Sequence, residues 1–99
     1  MLFARTRITA TPPPPDLEAQ VRLHRDRMAG LWAAELLGLI GHAAHDYARD
    51  LTQGHDAARD CDDSIAGRLA RDLRGKVGIR EIRDKLAHLL HEARRQLHS

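Results

Sequence analysis

Residues 30–41 read "GLWAAELLGLIG". The stretch is almost wholly apolar in a chain where 30% of residues are charged, and it holds the single tryptophan, Trp32. A membrane-spanning helix needs roughly 20 consecutive apolar residues. This run is shorter, contains Glu35, and follows Arg25, Asp26 and Arg27. Membrane insertion is therefore not expected, and a soluble protein is. The run reads instead as core. Ala33 and Ala34 would let a neighbouring helix approach, and Trp32 would fill the remaining space, removing about 200 Å² from water when buried.

The apolar positions around it are Leu17, Val21, Met28, Leu31, Trp32, Leu36 and Leu39. Their steps fit a helical period and predict a first helix over about 16–39. Asp16 can cap its start. Gly38 and Gly41 bracket its end. Ala44, Tyr47, Ala48 and Leu51 share one face of a second helix over about 42–53, stopped by Gly54. Residues 54–61, "GHDAARDC", read as a loop. A third helix over 62–75 turns Ile65, Leu69 and Leu73 inward, and Asp60, Asp62 or Asp63 suits its positive N-terminal end. A fourth over 79–97 carries the cleanest stripe: Ile79, Ile82, Leu86, Leu89 and Ala93, widened by Leu90 and Leu97.

Composition agrees. Val, Ile and aromatic residues, which favour strands, are scarce, while Ala, Leu and Arg, which favour helices, dominate the 99 residues. The expected fold is all-α: a small antiparallel four-helix bundle over 16–99 behind a disordered N-terminal arm, 1–15. The four prolines at 12–15 in "MLFARTRITATPPPP" cannot continue a helix. Setting the arm aside leaves a small domain that buries proportionately little surface.

Charge narrows the function. Arg5 and Arg7 take two of the 16 basic residues, leaving 14 in the body against 14 acids. A neutral body has no surplus cations for phosphates, so nucleic acid is not an expected partner. One cysteine, Cys61, rules out an internal disulfide and fits a reducing compartment. It stands among Asp60, Asp62 and Asp63, which should raise its thiol pKa and suppress reactivity. Residues 1–11 lack the apolar core of a secretory signal. "GKVG" at 75–78 reads as a turn, since it follows a helix and lacks a phosphate-binding loop's glycines. Asp84, His88 and His91 share one helix face, and His42, His45 and Asp46 cluster on another. Zinc needs three or four convergent ligands, and no specific ligand signature is present. No active site and no cofactor is expected, so the chain reads as a non-enzyme.

Taken together, residues 27–51 resemble the zeta subunit family of alphaproteobacterial F-type ATP synthases. The matching residues are Arg27, Gly30, Leu31, Trp32, Ala33, Ala34, Gly38, Leu39, Gly41, Ala44, Tyr47 and Ala48. Asp72, Leu73 and Lys76 resemble the end of the family's third helix. Ile82, Arg83, Leu86, Leu89, Leu90 and Ala93 resemble its last. The resemblance covers roughly 16–97. It implies a four-helix ATPase inhibitor, cytoplasmic and peripherally associated with the membrane-bound enzyme. Such a protein binds the catalytic head of ATP synthase and restrains ATP hydrolysis, and is expected to be monomeric when free. Gly30, Leu31, Trp32, Ala33, Ala34, Gly38, Leu39, Gly41 and Tyr47 are its expected motif core.

The departure lies in the arm. The family's inhibitory N-terminal segment is rich in Phe, Lys and acids and can become helical on the enzyme. Here the prolines interrupt any such helix and acids are absent. No inhibitory residue carries over, and Leu2, Phe3, Arg5 and Arg7 are contact candidates by position alone. Leu36 also stands where the family usually has a polar residue. Two alternatives keep the helices but change the job: a diverged zeta-like module without inhibitory activity, and a small metal-binding protein using His88 and His91.

Overall fold

The computed structural model describes residues 17–53 and 62–98. The arm, Asp16, Gly54, the 54–61 loop and Cys61 lie outside the described residues, as do Leu2, Phe3, Arg5 and Arg7. The described chain is all-helical: α1 (Leu17–Leu36), α2 (His42–Gln53), α3 (Asp62–Asp72) and α4 (Ile79–His98).

Helix α1 stops at Leu36, short of the expected end near Leu39. Gly38 adopts φ +80, a left-handed conformation that glycine enters without a Cβ penalty. The Leu39 N–H then donates to the Ala34 carbonyl at 2.8 Å and the Gly38 N–H to the Glu35 carbonyl at 3.1 Å. Two otherwise unpaired helix-end carbonyls are thereby satisfied. Helix α3 likewise ends at Asp72 rather than near 75, and the chain turns through Leu73–Lys76 with Gly75 at φ +84. Helix α4 opens with Glu81, whose carboxylate accepts from the Gly78 N–H at 3.4 Å. This is half of a capping box. Arg95 and His98 fall in its last turn, where cations meet the negative end of the helix dipole.

Helix α1 packs most extensively on α2 and then on α4, while α3 packs on α4. Glu18 of α1 meets Arg94 of α4 at 2.7 Å, and Trp32 lies beneath Lys85, so numbering rises along one helix as it falls along the other. The core gathers Ala29 and Ala33 from α1, Leu51 from α2, Ile65 and Leu69 from α3, and Ile82, Leu86 and Leu89 from α4, joined by Leu73 just past α3. Burying each Leu or Ile stabilises by roughly 1.5–3 kcal/mol.

Helix α1 does not bury the stripe of large residues that its sequence suggests. Its buried residues are Val21, Arg25, Asp26, Ala29, Gly30, Ala33 and Ala34. Leu17 and Leu31 are exposed, and Met28, Trp32 and Leu36 are half-buried at the rim of the core. The reason is steric. Helix α1 has neighbours on two sides, and close approach of helices demands small residues between them. A Cβ built on Gly30 would stand 2.7 Å from the Ala48 Cα and 2.8 Å from its Cβ. Neither atom is the end of a flexible side chain, so the only relief is to move α1 away from α2. At the outer ends of α4, Ile79 and Leu97 are exposed rather than part of the buried stripe.

Arg25 and Asp26 are 1% and 0% exposed, and the Arg25 Nε donates to the Asp26 Oδ1 at 2.7 Å. Two adjacent charges inside a small domain are costly to desolvate, and removing one partner from such a pair costs about 3–5 kcal/mol. They extend the small-residue row by one turn toward the N-terminus.

Gly30→Ala should destabilise the domain by about 1–3 kcal/mol. The same change on an open helix face would stabilise it by up to about 1 kcal/mol. Urea unfolding followed by circular dichroism checks the sign.

Candidate functional site

The motif at 30–41 divides among three environments. Gly30, Ala33 and Ala34 are buried against neighbouring helices. Trp32 points toward α4, with the Lys85 Nζ 5.8 Å from its ring centroid. That distance permits a cation–π contact, worth about 0.5–1 kcal/mol at an exposed site. Leu31 faces away from the core and is 38% exposed. Leu39 and Tyr47 are half-buried, and Gly38 and Gly41 are exposed turn residues with positive φ. The motif is therefore not one buried block. Its small members set helix spacing, its glycines turn the chain, and Leu31 is left at the surface.

Leu31 belongs to a groove of about 780 Å³ between α1 and α2. Leu23, Met28 and Leu31 from α1, with Ala48 from α2, make its floor. Arg27 and Arg49, with His24 and His45, line the rest, and Thr52 and Gln53 close one end. Arg49 is paired with Asp46 at 2.6 Å, and His24 meets the Gln96 Oε1 at 2.7 Å. Arg27 is exposed. Leu23, Arg27 and Leu31 recur every four residues, so one outer face of α1 supplies this side of the groove. That spacing was the available sequence signal. It goes unnoticed because the larger apolar stripe dominates the pattern.

Helices α2 and α3 are joined by polar contacts beside Leu51. The Tyr47 hydroxyl donates to the Asp72 Oδ2 at 2.7 Å. Arg68 brings its Nε to 3.5 Å from the same carboxylate oxygen, while its Nη1 donates to the Asp50 carbonyl at 3.2 Å. Burial is the main cause that pushes the Tyr47 hydroxyl well above its usual pKa. The hydrogen bond to Asp72 and the Asp72 charge add to it, while Arg68 and Arg71 oppose. A tyrosine in this role fixes α2 against α3 rather than offering a reactive group.

Among the described residues the histidines do not converge, and no group of three or more His, Cys, Asp or Glu could hold a metal ion. His88 and His91 are exposed. Arg94, Arg95 and His98 crowd around His91, and cations there disfavour a bound cation. Nor is any helix among the described residues long and apolar enough to cross a membrane.

A family model described as ATPase inhibitor subunit zeta matches residues 15–96. No curated protein and no solved structure matches the chain.

Tyr47→Phe should lower stability by about 1 kcal/mol, read from the urea midpoint. Because folding raises the Tyr47 pKa, its contribution is fully present below the unfolded value near 10 and is lost as pH rises through the folded value. Tyr47 is the only tyrosine. Absorbance titration should thus show tyrosinate appearing only with unfolding or well above pH 10, whereas titration at the ordinary value would contradict the Asp72 contact.

Proposed function

The chain belongs to the ATPase inhibitor subunit zeta family, and from that membership we propose that it binds the catalytic head of an F-type ATP synthase and restrains ATP hydrolysis. The observation that carries this reading is the extent of the match, which runs from residue 15 to residue 96 and so takes in α1, α2, α3 and all but the last two residues of α4. Membership in an inhibitor-subunit family also suggests a regulatory rather than a catalytic protein. On this reading the protein acts from the cytoplasmic side, attached to the enzyme rather than to lipid, and is monomeric when free.

The division of labour follows from the chain's own chemistry. The helical domain is held by a packed core and supplies docking. Residues 1–15, which precede nearly all of the matched region, carry Arg5 and Arg7, no acid, and prolines at 12–15. A proline run stiffens a chain and forbids one continuous helix through it. If the arm obstructs the head, it does so as a helix no longer than the 11 residues before the prolines, or as an extended strand. Leu2, Phe3, Arg5 and Arg7 are its proposed contacts. The same prolines favour a second reading, a domain that docks on the head without inhibiting it.

Addition of the full chain to its own organism's purified catalytic head, with ATP and magnesium, should give a co-eluting complex and a lower hydrolysis rate. Removal of residues 1–11 should restore hydrolysis while the complex persists. A complex with undiminished hydrolysis would establish the second reading, and the absence of any complex would end both.

A further inference from the structure

We propose that the groove between α1 and α2 is a docking surface for an acidic amphipathic helix of the partner. In keeping with the function proposed above, on which this rests, that helix lies on the catalytic head.

The groove has the two components such a helix requires. Its floor is apolar and open, with Leu31, a large aliphatic side chain, 38% exposed beside Leu23 and Met28. An apolar face of this kind accepts a helix through anchors at i, i+3 or i+4, and i+7. Leu23 and Leu31 stand eight residues apart on α1, a rise of about 12 Å, which matches about two turns of a bound helix.

Its charged lining is entirely cationic or imidazole. Arg27, Arg49, His24 and His45 are present, and among the described residues no acid lines the groove. Asp46 already pairs with Arg49, whereas Arg27 has no ion-pair partner among the described residues. The complementary surface is therefore acidic on one flank and aliphatic on its face.

Charge also decides against the nearest alternative occupant. Residues 1–15 carry two arginines and no acid, so they would meet Arg27 and Arg49 with like charge. Prolines at 12–15 also limit any helix they could lay there to the 11 residues before the run. Charges at the rim of an interface set partner choice and association rate, while the apolar floor supplies affinity.

The width of the groove depends on the Gly30–Ala48 contact. That contact holds the α1 and α2 backbones together beneath the floor, so the site is preformed and a bound helix pays little to order it.

The test is binding of the full chain to the purified catalytic head, with Kd measured against salt. Arg27→Glu should weaken binding roughly tenfold or more and flatten its salt dependence. Leu31→Ser should weaken it about tenfold with the salt dependence kept. Both side chains lie outside the core, so both variants should retain the circular dichroism spectrum and urea midpoint of the unaltered chain. Arg80→Glu, on the exposed start of α4, should leave Kd within about twofold. A photo-crosslinking residue at position 31 should react with an acidic helical segment of the head. If the unaltered chain binds but the folded Arg27 and Leu31 variants bind equally well, the groove is overturned while the proposed function stands. A crosslink to residues 1–15, or to a second copy of the chain, overturns it too. If the unaltered chain does not bind, the function fails and this inference fails with it.

Discussion

The closeness of α1 to α2 at Gly30 and Ala48 is the constraint on which the other placements rest. A side chain as small as a methyl group at position 30 would stand 2.7 Å from a backbone carbon of the facing helix. Around this contact small residues fit between α1 and its neighbours, and Ala29, Ala33 and Ala34 occupy those positions, while Arg25 and Asp26 are buried a turn earlier. The large residues of the same helix are displaced outward. Trp32 goes to the α4 side, where Lys85 covers its ring, and Leu31 goes to the open groove. Core and candidate docking surface are two consequences of one contact.

The core built this way is small, and polar groups add specificity at its edges. Arg25 and Asp26 are fully buried together, and Tyr47, Asp72 and Arg68 connect α2 with α3. Apolar packing is tolerant of a sliding register, because one Leu replaces another at modest cost. A hydrogen bond of 2.7 Å between Tyr47 and Asp72 is not tolerant, since it is made in one register only. Outside the core, Arg94 reaches Glu18 from the end of α4 to the start of α1 and holds the Glu18 carboxyl below its usual range. Both groups are exposed, so the pair marks alignment more than it contributes stability.

These features suit a regulatory module. The helical domain presents a surface shaped by its own packing. Of the side chains lining the groove, Leu31 and Arg27 are exposed, whereas Ala48 is buried and Met28 packs against the core.

Much of this was legible in the linear sequence. Scarce strand formers, helical spacing of Ile65–Leu69–Leu73 and of Ile82–Leu86–Leu89, and glycines at the turns determine an all-helical chain. The Gly30–Ala34 and Gly38–Ala48 residues also carry the family resemblance, which the match over residues 15–96 establishes. Helix ends were less legible. Whether Leu37–Leu39 continue α1 depends on Gly38 taking a positive φ, and a glycine permits that conformation without compelling it. Only the tertiary structure decided which face of α1 is inside. Periodicity ranks faces by hydrophobicity and so favours Leu17, Leu31 and Trp32. Packing between two neighbours ranks them by size, and there Gly30, Ala33 and Ala34 win, taking the charged pair Arg25 and Asp26 inward with them. The groove was hidden for the same reason. Its residues come from two helices, and no one-dimensional pattern states how far apart two helices will stand.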